Sequence, residues 1–365
     1  MFKIKMKFLS AILCFLRKGN RIRPESIDVK SVKTLVVINN KRLGDFLFCT
    51  PALTALKKAN QKMKIVIVTS KANAGLVTGS PHFDDVMYLD ESIRDAVRVG
   101  SALAKLKPDM GIIFHSKTPY DLIALTISRS GCILKHYFGN EMKVLFNVCD
   151  GYVIGGTKPP VQNDLDLIKK LGVYDSAPEM FFPLSLPAKV CEKVSIGLQL
   201  GASGGDRFLP INTAAKIISD VGCKYPDAVF HLIGTAKERE LGFSLLASIS
   251  ADLQSRVINH QGETTIAELG QVINNLTLLI TPDTGSLHIA TALKVRTVSL
   301  FVQRASNMSI PQQDADKHYV VYASDYSKSD NDSSGSKLST IPGNVVLSAV
   351  LDNLERAKSI NFVSP

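Results

Sequence analysis

The sequence predicts an α/β protein built from two doubly wound units, each a parallel sheet with helices on both faces. Short β-rich runs alternate with helical patterns from Thr34 onward, which is the element order that builds parallel sheets. A proline-rich stretch at 176–188 interrupts this alternation, and the alternation then restarts. The length of 365 residues also exceeds one ordinary domain.

Each half of the chain carries its own set of strands and helices. Apolar runs rich in β-branched residues predict the strands, and apolar side chains at helical spacing predict the helices. In the first half these are strands 34–40, 64–70, 84–89 and 110–116 and helices 50–60, 97–106 and 163–171. In the second half they are strands 194–200, 228–234, 276–281 and 297–302 and helices 211–223, 237–248, 265–274 and 285–293. A polar loop at 324–339 precedes a last helix at 345–359, which Asn344 can cap.

These patterns divide the chain into four segments. An arm at 1–33 precedes two domains at 34–180 and 190–342, and a helical segment at 343–365 follows them. Ligands of open parallel sheets bind outside the carboxyl ends of the strands. Two such sheets joined by a linker therefore predict a ligand-binding cleft between the domains.

The composition argues against several classes of protein. The positive charge is concentrated in the arm, and the chain has no tryptophan and 7% aromatic residues, so nucleic acid is not an expected partner. The six cysteines are scattered without a C-x-x-C pair, which argues against a disulfide framework or structural zinc and fits a reducing compartment. No apolar run reaches the about 18 residues that span a bilayer.

The arm has three interpretations. It holds nine basic and two acidic side chains, which is +7 of the total charge of +10. A basic amphipathic segment resting on anionic lipid fits this charge, and so does an extension that packs on the first domain. An export signal is the third interpretation, although no small-residue cleavage site follows the apolar run 8–16 and Arg17 and Lys18 come next.

The segment 279–288 is the most informative in the chain. An apolar strand ends there in Asp283-Thr284-Gly285-Ser286, which opens a helix containing His288. Free amides at that helix start can hold a phosphate, and Gly285 lets an anion approach the backbone. Asp283 suits a sugar hydroxyl, and His288 can donate to the ligand or lock the turn. The alternative is an ordinary strand-to-helix turn.

A second candidate loop follows the strand 194–200. Its glycines at 201, 204 and 205 allow a tight backbone path, and Arg207 offers a fork of donors suited to a diphosphate. It matches neither a Walker loop nor a dinucleotide fingerprint. A plain surface loop is the alternative.

In the first half, Arg42-Leu43-Gly44-Asp45 follows the opening strand directly. Asp45 is placed to accept a proton from a hydroxyl group; helix capping or a salt bridge to Lys41 or Arg42 is the rival explanation. His115 ends another strand at the predicted cleft, where it either touches substrate or serves as a hydrogen-bonded structural histidine.

The sequence gives little support for a metal site or for a serine or cysteine nucleophile. Three Asp-x-Asp pairs, at 164/166, 314/316 and 330/332, are poorly placed for a metal-bound diphosphate, so no metal is expected. No Gly-x-Ser-x-Gly motif is present, and Cys49 has no evident histidine partner in sequence.

Together these motifs resemble glycosyltransferase family 9, the ADP-heptose:lipopolysaccharide heptosyltransferases. The resemblance rests on 42–45 with the helix start 50–53, the loop 201–207, the segment 262–265 and the run 283–293. The chain departs from the family pattern after Phe301. The resemblance implies the GT-B fold, with two Rossmann-like domains facing a cleft, an acceptor-binding domain at 34–180, a donor-binding domain at 190–342 and a last helix that crosses back.

Site roles follow from the resemblance residue by residue. It implies that Asp45 is the general base and that Arg207 is the cation that meets the diphosphate. The predicted donor-binding residues are Ser203, Arg207, Glu238, Asp283, Thr284, Gly285, Ser286 and His288. The predicted acceptor-binding residues are Lys41, Arg42 and His115.

The implied activity is inverting transfer of heptose from ADP-heptose to the lipopolysaccharide core, without metal or other cofactor. It implies a Gram-negative source and a cytoplasmic enzyme, peripheral at the inner membrane through the basic arm. Two alternatives remain: another GT-B nucleotide-sugar enzyme, such as a hexosyl- or N-acetylhexosaminyltransferase or an epimerase, or a non-catalytic nucleotide-sugar-binding module.

Overall fold

A computed structural model of the protein describes residues 2–139, 143–175, 177–190, 192–202, 207–326 and 337–361. The chain divides into two units, Met1–Ser185 and Leu186–Pro365. The division falls inside the proline-rich stretch at 176–188. Each unit contains one six-stranded sheet whose neighbouring strands are all parallel.

In the first unit the strand order is β3-β2-β1-β4-β5-β6. The strands are β1 Thr34–Asn39, β2 Lys64–Thr69, β3 Asp85–Tyr88, β4 Met110–His115, β5 Cys132–Phe138 and β6 Gly151–Gly155. The helices are α1 Phe2–Leu16, α2 Leu43–Phe48, α3 Thr50–Ala59, α4 Ala74–Val77, α5 Ile93–Ala104, α6 Tyr120–Ile127 and α7 Pro160–Ile168.

In the second unit the order is β12-β11-β10-β7-β8-β9. The strands are β7 Ser195–Gln199, β8 Val229–Ile233, β9 Val257–Asn259, β10 Leu278–Pro282, β11 Arg296–Phe301 and β12 His318–Tyr322. The helices are α8 Ile211–Lys224, α9 Arg239–Ala247, α10 Ala251–Gln254, α11 Ile266–Asn274, α12 Gly285–Ala292 and α13 Gly343–Asn361.

The central strands show why a sheet covered on both faces forms. The β1 run Leu35-Val36-Val37-Ile38 is completely buried, and so is Leu278-Leu279-Ile280 in β10. Continuous rather than alternating apolar runs are typical of parallel strands packed under helices on both sides. The predicted α/β class is therefore confirmed, and every predicted strand lies within two residues of an observed strand.

The prediction missed strands β5, β6, β9 and β12 and helices α2, α4, α6 and α10. Strand β5 was overlooked because Lys135 and His136 interrupt its apolar run. The structure buries Lys135 completely and pairs its Nζ with Asp121 Oδ2 at 2.6 Å. This partner lies on α6, so only the tertiary structure makes that burial tolerable. The other missed strands all lie at or next to sheet edges, where burial is partial.

The order of strands defines one switch point in each sheet. Chain connections leave β1 and β4 in opposite directions across the first sheet, and β7 and β10 do the same in the second. A crevice opens at the carboxyl ends of such strand pairs. The segments 39–45 and 115 occupy this position in the first unit, and 199–201 and 282–286 occupy it in the second.

The arm is a helix packed on the first unit. Leu13 of α1 is 3% exposed and joins the core together with Met6, Leu9 and Cys14. Ser10 Oγ donates to the Val144 carbonyl at 2.8 Å. The structure therefore shows the packing interpretation of the arm, while contact with lipid stays a prediction.

Helix α13 packs into the core of the second unit through Val346, Ala349, Val350 and Leu354, and its expected return to the first domain stays a prediction. Residues 327–336 of the predicted polar loop lie outside the described residues. Among the described helices, none combines the length and the apolar character required to cross a membrane.

Candidate active site

Asp45 lies at the switch point of the first unit, in the third position of the short helix α2. Its side chain is 32% exposed, and its Oδ1 lies 3.5 Å from Nδ1 of His115, the last residue of β4. The Arg42 backbone amide hydrogen-bonds the carboxylate. Asn39 Nδ2, at the end of β1, donates to the Asp45 carbonyl at 3.0 Å and holds the turn. The structure thus brings Asp45 and His115 together.

Burial changes the protonation of both groups. Burial raises the pKa of Asp45 above its ordinary value, and the charges of Lys41 and Arg42 together with the Arg42 amide oppose this only in part. Burial lowers the pKa of His115 to about 3, with a smaller contribution from the Lys41 charge. A carboxylate with a raised pKa is a stronger base, and His115 stands beside it as a neutral imidazole.

Three further side chains, Phe138, His136 and Asp164, lie behind this pair. The Phe138 ring stacks on His115 with centroids 4.0 Å apart and also contacts the ring of His136 at 4.1 Å. His136 Nδ1 lies 2.8 Å from Asp164 Oδ1. Burial, with a smaller contribution from the Asp45 charge, raises the pKa of Asp164 to about 6 despite this contact. Sequence reasoning missed His136 and Phe138 because it missed β5.

Lys41 and Arg42 flank the Asp45 turn. The Lys41 carbonyl accepts a hydrogen bond from Asn73 Nδ2 at 2.7 Å, which attaches this loop to the following segment of the unit. Arg42 is exposed and precedes the first turn of α2. Their predicted role in binding the acceptor stays a prediction.

In the second unit, α12 begins directly after β10 with Thr284 as its N-cap residue. Thr284 Oγ1 is turned inward: it donates to Gln199 Oε1 at 2.9 Å and lies 3.0 Å from Thr281 Oγ1. No side chain of the described residues caps the α12 terminus. The first-turn amides at Gly285 and Ser286 are therefore left for an anion, in agreement with the dipole of the helix.

Gln199 is a member of this site that sequence reasoning missed. It is the last residue of β7, and its side chain is buried beside the Thr284 turn of the neighbouring strand β10. Its signal in the sequence was a polar side chain at the end of an otherwise apolar run.

Asp283 and Arg207 line the same small pocket at the ends of β10 and β11. Burial raises the pKa of Asp283, while a hydrogen bond from Ser309 at 3.3 Å and the Arg207 charge oppose the rise. His288 Nε2 lies 3.9 Å from Asp283 Oδ1. Burial lowers the pKa of His288 to about 4, so this ring is neutral at pH 7. Arg207 itself is exposed and can reach a ligand.

Glu238 connects two loops at the end of the second sheet. Its Oε1 accepts from the Gly201 amide at 2.9 Å, and its Oε2 accepts from the Thr235 amide at 2.6 Å. With Thr235 it forms a capping box, for which Thr-x-x-Glu is the sequence signature. Glu238 therefore holds the Gly201 loop, and its predicted contact with the nucleoside stays a prediction. Ser203 lies outside the described residues.

Aspartates of the Asp-x-Asp pairs contact other side chains of the protein. Asp164 contacts His136, and Asp166 is paired with Lys158 and Lys169 at 2.6 and 2.7 Å. Asp314 lies 3.4 Å from Lys317; the pair at 330/332 lies outside the described residues. Across the described ranges, no group of three or more metal-ligating side chains comes together.

The chain is similar in sequence to known heptosyltransferases. The model of glycosyltransferase family 9 (heptosyltransferase) matches residues 196–338, a range that contains Arg207 and the 283–288 segment. Lipooligosaccharide heptosyltransferase 2 of Campylobacter jejuni subsp. jejuni serotype O:6 is 22% identical over 292 residues, which is 76% of this chain and 84% of that protein.

Solved structures resemble both units. The crystal structure of a family 9 glycosyl transferase from Veillonella parvula aligns with a TM-score of 0.75 and 19% identity over 91% of this chain and 99% of that one. The structure of E. coli ADP-heptose lipopolysaccharide heptosyltransferase II aligns with a TM-score of 0.71 and 16% identity over 89% of this chain and 99% of that one.

The two parallel α/β units and their alignment with these structures define the GT-B fold class. The family model and the curated relative support a glycosyltransferase enzyme. The resemblance to glycosyltransferase family 9, the heptosyltransferases, is therefore confirmed, and it is carried by residues 196–338.

Proposed function

We propose that this enzyme transfers heptose from ADP-heptose to the lipopolysaccharide core with inversion at the anomeric carbon. The observation that carries the proposal is Asp45, a partly exposed carboxylate with a raised pKa at a switch point, in a chain that also offers an uncapped helix terminus next to Arg207 and Asp283. The names of the C. jejuni and E. coli relatives supply the sugar, the nucleotide and the lipopolysaccharide acceptor.

On the acceptor side, Asp45 acts as the general base. It takes the proton of the acceptor hydroxyl as that oxygen attacks the anomeric carbon of the donor. The bond between the anomeric carbon and the phosphate oxygen breaks in the same step, and its electron pair leaves with the nucleoside diphosphate. Attack opposite the leaving group inverts the anomeric configuration. Lys41, Arg42 and His115 line this site and meet the acceptor.

On the donor side, the diphosphate gains charge as it leaves. Arg207 and the amides of Thr284, Gly285 and Ser286 therefore stabilise the transition state more than the ground state. Asp283 and His288 contact the donor sugar and phosphates, and Ser203 and Glu238 contribute to the nucleotide site.

This set of donors can neutralise the diphosphate without a bound metal. Turnover is expected to persist in excess EDTA, measured as release of nucleoside diphosphate. A strict requirement for an added divalent cation would contradict this part of the proposal.

We place the enzyme in the cytoplasm of a Gram-negative bacterium, peripheral at the inner face of the membrane. The lipopolysaccharide core is anionic, so the cations Lys41 and Arg42 suit it. The basic arm, at +7, favours an anionic lipid surface for the same reason.

The test is an assay of the purified enzyme with ADP-heptose and core acceptors of increasing length. Mass spectrometry is expected to show addition of one heptose to one of these acceptors, with stoichiometric release of ADP. ADP-hexoses, UDP-hexoses and UDP-N-acetylhexosamines are assayed in parallel. Transfer from one of these instead, or epimerisation of the sugar, would assign the chain to another GT-B activity. Nucleotide-sugar binding without any turnover would favour a binding module.

A further inference from the structure

Helix α1 has a second apolar face that the body of the protein does not cover. Side chains at positions i, i+4, i+8, i+11 and i+12 lie along one side of a helix. In α1 these positions form the outer stripe, which consists of Ile4, Phe8, Ile12, Phe15 and Leu16. Ile4, Phe8 and Phe15 are 72%, 70% and 75% exposed. Because five large apolar side chains share one face, they form a contiguous exposed apolar patch.

The opposite face of α1 is firmly attached. Leu13 is buried in the core of the first unit, and Arg17, just beyond the helix, pairs with the buried Asp150. Asp150 Oδ1 also accepts from Arg21 Nε at 2.7 Å. The outer stripe is therefore presented by an anchored helix and not by a frayed arm.

Lysines flank the outer stripe along the helix. Lys5, Lys7 and Lys18 are exposed, and no acidic residue occurs before Glu25. A helix of 15 residues is about 22 Å long. Aromatic and aliphatic side chains on one face with lysines beside them are the composition of helices that lie flat in the headgroup region of an anionic bilayer.

We propose that the outer stripe of α1 inserts into an anionic membrane surface and orients the first unit against it. The choice of a bilayer rests on the proposed function, which puts the acceptor at a membrane. Self-association through the same face is disfavoured because it would bring the lysines of two copies together. Because the inner face is attached, insertion fixes the orientation of the whole unit.

The absence of tryptophan from the chain makes a direct test possible. Phe8→Trp and Phe15→Trp each introduce a single tryptophan in the outer stripe, and excitation at the red edge of the absorption band selects its emission over that of the tyrosines. Phe243→Trp is the matched control, because Phe243 is a 56% exposed phenylalanine of α9 in the second unit. With vesicles of phosphatidylglycerol and phosphatidylethanolamine, the emission of the two α1 variants is expected to shift to the blue and to be quenched by brominated acyl chains. The control is expected to show neither change.

Affinity is tested with the double variant Phe8→Ser/Phe15→Ser against Phe243→Ser. In vesicle sedimentation the double variant is expected to bind at least about tenfold more weakly than the wild type, since two phenyl groups no longer leave water. The control is expected to bind like the wild type. Both positions are exposed, so far-ultraviolet circular dichroism is expected to be unchanged. Deletion of the arm is a poorer test because it would also uncover Leu13 and leave Asp150 unpaired.

Equal binding by the double variant and the wild type would overturn the proposal, and so would unchanged emission at positions 8 and 15. A dimer in light scattering that the double variant dissociates, without vesicle binding by the wild type, would assign the stripe to a second copy. Binding of an acidic peptide in place of vesicles would assign it to a protein partner. Turnover of a deacylated, water-soluble acceptor is measured separately, so a missing transferase activity is distinguishable from a missing membrane contact.

Discussion

The imidazole of His115 stands 3.5 Å from the Asp45 carboxylate, measured from Nδ1 to Oδ1, while its ring stacks on Phe138. Burial keeps the pKa of His115 near 3, so the ring is neutral at pH 7. A neutral ring can orient the carboxylate without placing a positive charge beside it, which would depress the pKa of Asp45. The pair thus preserves a carboxylate that is both oriented and basic.

Replacing Asp45 by asparagine is expected to lower kcat by about 10²- to 10⁴-fold, because the amide cannot accept the proton of the acceptor hydroxyl. Donor affinity, measured by titration calorimetry, is expected to stay within about twofold of the wild type. Asp227→Asn, at an exposed position of the second unit, is the matched control and should retain full turnover. Undiminished turnover of Asp45→Asn would remove this residue from the role of base.

The pH profile is expected to report the Asp45 carboxyl group. Activity requires the deprotonated form, so kcat/KM should be constant above the pKa of Asp45 and fall tenfold per pH unit below it. The Lys41 charge lowers this pKa, so Lys41→Gln should move the acid limb to higher pH. Lys62→Gln, at an exposed position, should leave the acid limb in place. An acid limb that does not respond to Lys41→Gln would indicate that another group titrates.

Replacing Arg207 by glutamine is expected to lower kcat by about 10²- to 10³-fold, since the departing diphosphate loses a charge-assisted donor. Arg207→Lys should keep more activity than the glutamine variant, because it retains the positive charge without the guanidinium fork. Steady-state kinetics with ADP-heptose provide the measurement, and Arg94→Gln, at an exposed position of the first unit, serves as the control. Equal losses in the lysine and glutamine variants would show that the geometry of the fork, and not the charge, is required.

Replacing Asp150 by asparagine is expected to lower the free energy of unfolding by about 3–5 kcal/mol, because the buried Arg17 loses its counter-charge. Asp150 also accepts from the Ile133 amide at 2.7 Å, so the change reaches strand β5. Urea denaturation provides the measurement. Glu355→Gln removes an exposed pair with Lys224 and should cost under about 1 kcal/mol. A loss at Asp150 no larger than this control would mean that the arm is held mainly by its apolar face.

The run Asp283-Thr284-Gly285-Ser286 could be read from the sequence because its chemistry is local. A strand, a turn of small polar residues and a helix follow one another directly, so the position of the α12 start after β10 needs no information from elsewhere. Asp45 was accessible for the same reason, since it comes just after β1.

Gln199 and the His136–Asp164 pair could not be found in that way. Gln199 meets Thr284 across two neighbouring strands and 85 positions of sequence. His136 and Asp164 are 28 positions apart, and both are buried only because β5 and α7 pack together. The buried Lys135 interrupts the apolar pattern of β5. The sequence therefore predicted neither this strand nor the ion pair of Lys135 with Asp121.

Local periodicity and turn chemistry by themselves determined the α/β class, the two-unit organisation and the strand ends that carry Asp45 and Asp283, because each depends on neighbours within one or two turns of chain. Only the tertiary structure decided which face of α1 is covered, which carboxylates are buried and which histidines are neutral. Those properties depend on desolvation and on partners far away in sequence, and both are set when the sheets and helices pack together.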